Sequence, residues 1–141
     1  MLLVDANVLL HAVNEGSPEH REARDWLVDA LGGNETIAFA WTVLLAFLRL
    51  STHPAVFPRP LAVEDAADIV EGWIGAAPAV MVEPTRRHLA LVRGLLSSSG
   101  SRGSLVSDAH LAALAIENDA LLVSFDRDFG RFEGLRRRRP A

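Results

Sequence analysis

A chain of 141 residues, 50 % of them hydrophobic, has material for one domain with a real core and is short for two. Its formal net charge of −4 gives no global basic field, so contact with nucleic acid must come from local patches or a metal. Cysteine is absent and all 14 Lys/Arg positions are arginine, which excludes disulfides, thiolate metal sites, Schiff-base chemistry and a lysine-bearing phosphate loop.

The first segment, "MLLVDANVLL", lacks the basic region of a signal peptide, and no apolar run reaches membrane-spanning length. No membrane association and a cytoplasmic location are therefore expected. "LLVD" reads as a buried strand ending in Asp5, and "ANVLLHAV" as a helix that follows at once. "SPEHREARDWLVDAL" predicts a helix with Ser17 as N-cap and Pro18 in the first turn, stopped by "GGN". "TIAFA" is a second strand, and "WTVLLAFLRLS" a helix apolar except for Thr42 and Arg49. After the proline-broken "THPAVFPRP" come an amphipathic helix "VEDAADIVEGWI", a strand "AVMVE" and a helix "PTRRHLALVRGLL" opened by Pro84. "SSSGSRGS" reads as a flexible surface turn. "LVSDAHLAALAI" is a helix apolar on nearly every face, "ALLVSF" a fourth strand, and "DRDFGRF" a tight turn or short helix. "EGLRRRRPA" has room for one last short strand, and its basic end, residues 136–141, is expected to fray.

Strands alternating with helices predict an α/β domain with a mainly parallel sheet of four or five strands, spanning residues 1–141. In such sheets ligands bind at the carboxyl ends of the strands. Asp5 ends the first strand, Asp126 and Asp128 follow the fourth, and Asp108 lies in the first turns of the helix that feeds it. If the first and fourth strands are neighbours, these carboxylates converge on one rim. They cannot all stay ionised at close range without a counter-charge. Arg127, Arg131 or a divalent cation could supply it, and oxygen-only ligation suits Mg²⁺ or Mn²⁺. Taken singly, Asp5 and Asp126 also read as a helix cap and a turn former, and Asp108 as a complement to a helix dipole. The apolar helix around Asp108 favours a buried role.

Together, "LLVDANVLL", "LVSDAHLAALA" and "LLVSFDRDF" resemble the PIN-domain ribonucleases, in particular the VapC-type toxins of toxin–antitoxin systems. "LLAFLRLSTHPAVFPRPL" and the "EGLR" tail resemble a subgroup of them, so that the similarity spans essentially the whole chain. The resemblance implies a three-layer α/β/α fold and a Mg²⁺-dependent endoribonuclease, with Mn²⁺ as substitute, that cleaves single-stranded or loop RNA to 5′-phosphate and 3′-hydroxyl ends. It maps Asp5, Asp108 and Asp126 onto the metal-binding acids and Asp128 onto a less constant catalytic acid, with Asn7 and Ser124 as small polar supports. It further implies a homodimer and a cognate VapB antitoxin whose C-terminal segment occupies the active-site groove.

One position departs from this pattern. The family usually places a glutamate just before a segment like "FLR", where this chain has Ala46. The site then has fewer negative ligands, and a weakly active or non-catalytic antitoxin-binding module becomes the competing reading. A phosphoaspartyl receiver or a haloacid-dehalogenase-like phosphatase also puts an aspartate after the first strand, but such sites usually include a lysine, and "DAN" lacks the phosphatase's second acid.

Arg49 reads as a contact for RNA phosphate or an antitoxin carboxylate, or as a snorkelling helix-end residue. His110 reads as a partner for a metal-bound water or a phosphate, or as a packed helix residue. Trp26, Trp41 and Trp73 fall on predicted helices and read as core or dimer residues rather than base-stacking platforms.

Overall fold

The computed structural model describes residues 1–100 and 103–141. Five short strands form one sheet: β1 (Leu2–Val4), β2 (Ile37–Phe39), β3 (Ala79–Met81), β4 (Leu121–Val123) and β5 (Arg137–Arg138), in the spatial order β3-β2-β1-β4-β5. All four pairings are parallel. β1 and β2 are buried at every residue, as strands covered by helices on both faces must be.

Among the described residues six helices cover the sheet: α1 (Ala6–Val13), α2 (His20–Gly32), α3 (Trp41–Ser51), α4 (Val63–Ile74), α5 (His88–Ser99) and α6 (Val106–Glu117). α1 packs on α2 and α3, and α3 on α4, while α5 and α6 pack on each other. Right-handed crossovers dictate this division. Running β1 to β2 to β3 in one direction puts α1–α4 on one face; returning from β3 to β4 across the sheet puts α5 and α6 on the other. The result is the expected α/β/α layering. Among the described residues no helix is long and apolar enough to cross a membrane.

α6 carries out what its composition demands. Ala109 and Leu111 through Ala115 are all buried, so the helix runs inside the core and meets both α5 and β4. The largest fully buried side chains include Phe39, Phe47, Phe129, Leu3 and Leu9.

Three helix boundaries lie two or more residues from expectation. α2 begins at His20, because Ser17 Oγ accepts from the Glu19 N–H (3.2 Å) in a local turn and contacts His11 Nδ1 (2.6 Å) instead of capping a helix. α5 begins at His88, since Thr85 Oγ1 holds the Arg87 N–H (3.2 Å) and Pro84 stays in the loop. The serines expected in a flexible turn extend α5 to Ser99, and the helix ends at Gly100 with φ +66°, a left-handed cap that glycine adopts without strain. The rest of that turn includes residues 101 and 102, which lie outside the described residues.

The basic tail does not fray. β5 adds to β4, the Leu122 N–H donates to Arg136 O (2.9 Å) and the Ser124 N–H to Arg138 O (3.0 Å). Arg139 pairs with Glu22 (3.3 Å) and Pro140 is buried. Backbone pairing and one buried proline outweigh the mutual repulsion of four arginines that solvent screens.

Candidate active site

The strand order reverses at β1, from which the chain runs to β2 on one side and returns to β4 on the other. In an open parallel sheet the crevice at such a reversal, outside the carboxyl ends of the strands, is where ligands bind. Asp5 follows β1 and Ser124 to Asp128 follow β4, so the first and fourth strands are indeed neighbours and the predicted residues flank that crevice.

Register fixes their relative heights. Val4 pairs with Val123, which brings Asp5 beside Ser124, and the Asp5 N–H donates to Val123 O (3.0 Å). Asp5 Oδ1 accepts from the Ala6 N–H at the start of α1 (2.7 Å) and Oδ2 accepts from Ser124 Oγ (2.7 Å). Ser124 Oγ in turn accepts from Asn7 Nδ2 (3.1 Å) and from the Asp126 N–H (2.9 Å). Asn7 Oδ1 accepts from the Phe125 N–H (3.2 Å). One hydroxyl and one amide thus tie the end of β1 to the end of β4. Asp126 Oδ1 accepts from the Asp128 N–H (2.8 Å), capping the short 3-10 turn Arg127–Arg131. The bland readings of Asp5 and Asp126 as caps are therefore true as well, and they coexist with the clustering.

The electrostatics are those of crowded acids. Burial pushes the Asp5 carboxyl up to about 6; bonds from Ser124 and Ala6 oppose this, and the charges of Asp108 and Asp126 add to it. Asp108, half-buried in the first turn of α6, is also raised, first by burial and then by Asp126, with Arg131 opposing and Asp128 adding. Asp128 is largely exposed and forms an ion pair with Arg131 (3.5 Å). Arg131 is thus a counter-charge to both Asp108 and Asp128.

Two predicted residues stand apart from these acids. Arg49 is exposed in the last turn of α3, and its guanidinium has no hydrogen bond or ion pair among the described residues. His110 turns to His88, with Nδ1 2.8 Å from His88 Nε2, and its titration feels His88 and Glu117 rather than the aspartates. Ala46, where a fourth acid was expected, is half-buried on α3. Trp26 is buried and Trp73 packs edge-on against Phe47, but Trp41 is 49 % exposed and so is not a core residue. Two features escaped sequence reasoning: the contact of Glu117 with His88, and the Arg139 guanidinium 4.8 Å over the Phe125 ring. Both join residues far apart in the chain, and no spacing signals them.

The donors suit a hard divalent cation in kind, since they are carboxylate oxygens that repel one another. Among the described residues no three His, Asp or Glu side chains close into a ready-made cage, so the acids are gathered without being drawn together.

The fold and this acidic crevice define a class. The PIN domain model matches residues 2–135, and the chain belongs to the PIN-domain family. Within it the chain is of the VapC ribonuclease type. It is 51 % identical over 140 residues to Ribonuclease VapC37 of Mycobacterium tuberculosis, covering 99 % of this chain and 97 % of that one. It is 38 % identical over 136 residues to Ribonuclease VapC33 of the same species, covering 96 % and 95 %. The crystal structure of Mycobacterium tuberculosis VapC20, a sarcin-ricin loop cleaving toxin, shares the fold with TM-score 0.69 and 18 % identity over 96 % of this chain and 99 % of that one. So does VapBC2 from Rickettsia felis bound to a promoter DNA fragment, with TM-score 0.68 and 17 % identity over 98 % and 97 %.

Proposed function

We propose that this chain is a metal-dependent endoribonuclease toxin that hydrolyses phosphodiester bonds in single-stranded or loop RNA and is neutralised by a cognate VapB-type antitoxin. The observation that carries the reading is the group Asp5, Asp108 and Asp126 at the reversal of strand order, with Asp5 fixed through Ser124 and Asn7. Relatives named ribonuclease VapC and a neighbour crystallised as a VapBC complex support it.

Asp5, Asp108 and Asp126 would hold Mg²⁺, or Mn²⁺ in its place. A cation bound there supplies Lewis acidity toward a phosphate oxygen and lowers the pKa of a coordinated water. The protein's own contribution is positional. Ser124 donates to Asp5 Oδ2 and keeps that oxygen from turning away, and Asn7 keeps Ser124 in place by donating to its hydroxyl. Arg131 offsets the charge of Asp108 and Asp128, and Asp128, at the mouth, is placed to orient a water. With water rather than the 2′-hydroxyl as nucleophile no cyclic phosphate forms, and departure of the 3′-oxygen, which takes up a proton, leaves the 5′-phosphate and 3′-hydroxyl ends that the family resemblance implies. An RNA substrate fits a cytoplasmic location. Trp41, Leu45, Val80, Met81 and Leu89 leave apolar surface exposed, which suits a homodimer.

Ala46 favours a second reading, a weakly active module kept for its antitoxin contacts. Cleavage of single-stranded RNA decides between them. Protein freed of antitoxin and given Mg²⁺ should cut, and Asp5→Asn or Asp108→Asn should lower the rate by more than the roughly 10–100-fold typical of outer-shell losses. Cutting untouched by either change would sink the nuclease reading, and no cutting with any divalent cation would favour the module. Ala46→Glu should tighten cation binding if that position is a gap in the ligand set.

A further inference from the structure

The tail "RRRR" sets four guanidinium groups in a row, and the fold sorts them. Arg136 Nη2 donates to Asp119 Oδ1 (2.7 Å) and to Asp119 O (2.8 Å), just ahead of β4. Arg138 lines a cleft with Glu22, Asp25 and Asp29 of α2. Arg139 pairs with Glu22 (3.3 Å) and covers the Phe125 ring. Successive residues of a strand face opposite ways, so Arg137 in β5 is turned away from the face that Arg138 shares with α2. Arg137 is exposed, and its guanidinium has no hydrogen bond or ion pair among the described residues.

Its head group nevertheless has a seat. A β-carbon at Gly130 would stand 2.6 Å from Arg137 Nη2, 3.2 Å from Cζ and 3.5 Å from Nε. Only a bare α-carbon permits that approach. The backbone does not itself demand glycine at this position: the glycines at positive φ are Gly100, Gly103 and Gly134, and Gly130 is not one of them. What uses the missing side chain is the guanidinium of Arg137.

Gly130 belongs to the 3-10 turn Arg127–Arg131, which Asp126 caps and which contains Asp128. The Arg137 head group is therefore held two residues past Asp128, at the mouth of the acidic crevice. Arg131, in the same turn, is committed: its Nε donates to Asp128 O (2.9 Å) and its Nη2 pairs with Asp128 Oδ2 (3.5 Å). The turn thus carries one cation that offsets the acids and a second whose charge answers to nothing in the described chain. A guanidinium fork matches two oxygens of a phosphate. Seated on the turn, Arg137 has already given up part of the rotamer freedom that a loose arginine loses on binding. The carboxylates repel a polyanion, so a fixed positive group at their edge decides where a strand can lie.

We propose that Arg137, seated on Gly130, is a phosphate subsite for the substrate strand and binds a backbone phosphate beside the scissile one. The proposal rests on the endoribonuclease reading above. Arg137 is a substrate-binding residue here, and Gly130 is the positioning residue that holds it. An RNA phosphate is favoured over a partner's carboxylate because the seat shares its turn with Asp128 and with the cap Asp126, the acids that the substrate must approach.

The test measures binding of a short single-stranded oligoribonucleotide to Asp5→Asn protein at fixed Mg²⁺, with Arg137→Gln, Gly130→Ala or Arg136→Gln added. Arg137→Gln should weaken binding about tenfold, the loss of one charge-assisted contact, and make the slope of log affinity against log salt shallower by about 0.7. Arg136→Gln removes the same charge one residue away and should leave the slope unchanged. Gly130→Ala keeps every charge and forces the guanidinium off its seat. It should weaken binding by about threefold or more, and add nothing to Arg137→Gln. Oligonucleotides with a single uncharged methylphosphonate, moved position by position, identify the phosphate. One position beside the cut should cost the Arg137 protein about tenfold and the Arg137→Gln protein nothing. In cleavage by otherwise wild-type protein, Arg137→Gln should raise KM more than it lowers kcat. Active wild type whose RNA binding responds to neither Arg137→Gln nor Gly130→Ala would overturn the subsite and leave the nuclease standing. So would a loss in Arg137→Gln that couples to no single phosphate or that Gly130→Ala fails to share, since Arg137 would then be one more charge in a field. Unchanged RNA binding by Arg137→Gln with weakened binding of an oligoglutamate peptide would give the residue to a partner's carboxylate, and overturn the subsite too. Wild type that neither binds nor cuts RNA with any divalent cation would overturn both readings.

Discussion

Ser124 spends one hydroxyl on three neighbours, and the orientation of Asp5 depends on it. Ser124→Ala would leave Asp5 Oδ2, Asn7 Nδ2 and the Asp126 N–H each short of a partner. Affinity for Mn²⁺, measured by titration calorimetry, should fall about 10–100-fold; an unchanged affinity would remove Ser124 from the site. Asp5 itself gives a pH prediction. Its folded pKa, raised to about 6, lies above the ordinary value of 3.8, so the native state holds the proton more tightly than the unfolded chain. Between these values stability must fall as pH rises, by up to about 3 kcal/mol. In chelator the melting temperature should therefore be higher at pH 5 than at pH 7, and Mg²⁺ should recover the loss at pH 7. A rise in stability from pH 5 to 7 in chelator would contradict the buried, crowded carboxylate. At this scale the acids were legible because each had a local signature: a strand end, a turn, or a lone charge on an apolar helix. His88 and Glu117 had none, since 29 residues separate them and only the packing of α5 on α6 joins them. The exposure of Trp41 was hidden for the same reason, because burial is decided by neighbours that the helical period does not name.

The elements were more legible than the contacts between them. α1, α3 and α4 have the expected bounds, since apolar runs and flanking strands or prolines leave little choice. α2 and α5 start later than expected because Ser17 and Thr85 spend their hydroxyls on local turns, a competition that a capping pattern cannot resolve. The tail was misjudged because four consecutive arginines resemble a solvated end, whereas the unpaired edge of β4 offers backbone partners to any short extended segment. Removing residues 136–141 should therefore cost stability. Two backbone bonds at roughly 1 kcal/mol each, with the burial of Pro140, imply a loss of about 2–3 kcal/mol. Scanning calorimetry should register this as a melting point lower by roughly 5–15 °C. A truncated chain melting with the intact one would mean that β5 is not a fixed part of the sheet. The Arg139 contact with Phe125 would vanish too, leaving that ring packed on His11 alone among the aromatic and cation contacts.

For the whole molecule, alternation of strands and helices foretold a parallel α/β sheet, but not the order of its strands. The convergence of the acids was conditional on β1 and β4 being neighbours, and only long-range pairing satisfies that condition. The net charge of −4 limits how the chain can gather a polyanion. A nuclease of this charge cannot gather RNA by a general field, and several of its arginines are already engaged: Arg131 with Asp128, Arg136 with Asp119 and Arg139 with Glu22. Near the crevice Arg127 remains without an ion pair among the described residues, and the Arg137 guanidinium lies against Gly130 of the same turn. Neutralising Z phosphates of a single strand gives a slope of about −0.7Z in log affinity against log salt. Two or three such contacts predict a slope near −2, much shallower than the roughly −10 of a strongly basic DNA-binding protein. Filter binding of a short oligoribonucleotide to Asp5→Asn protein, from 50 to 300 mM salt at fixed Mg²⁺, measures it. A slope steeper than about −4 would need about six phosphate contacts, more than the arginines beside the crevice supply, and the account of substrate capture by a local rim rather than a field would fail.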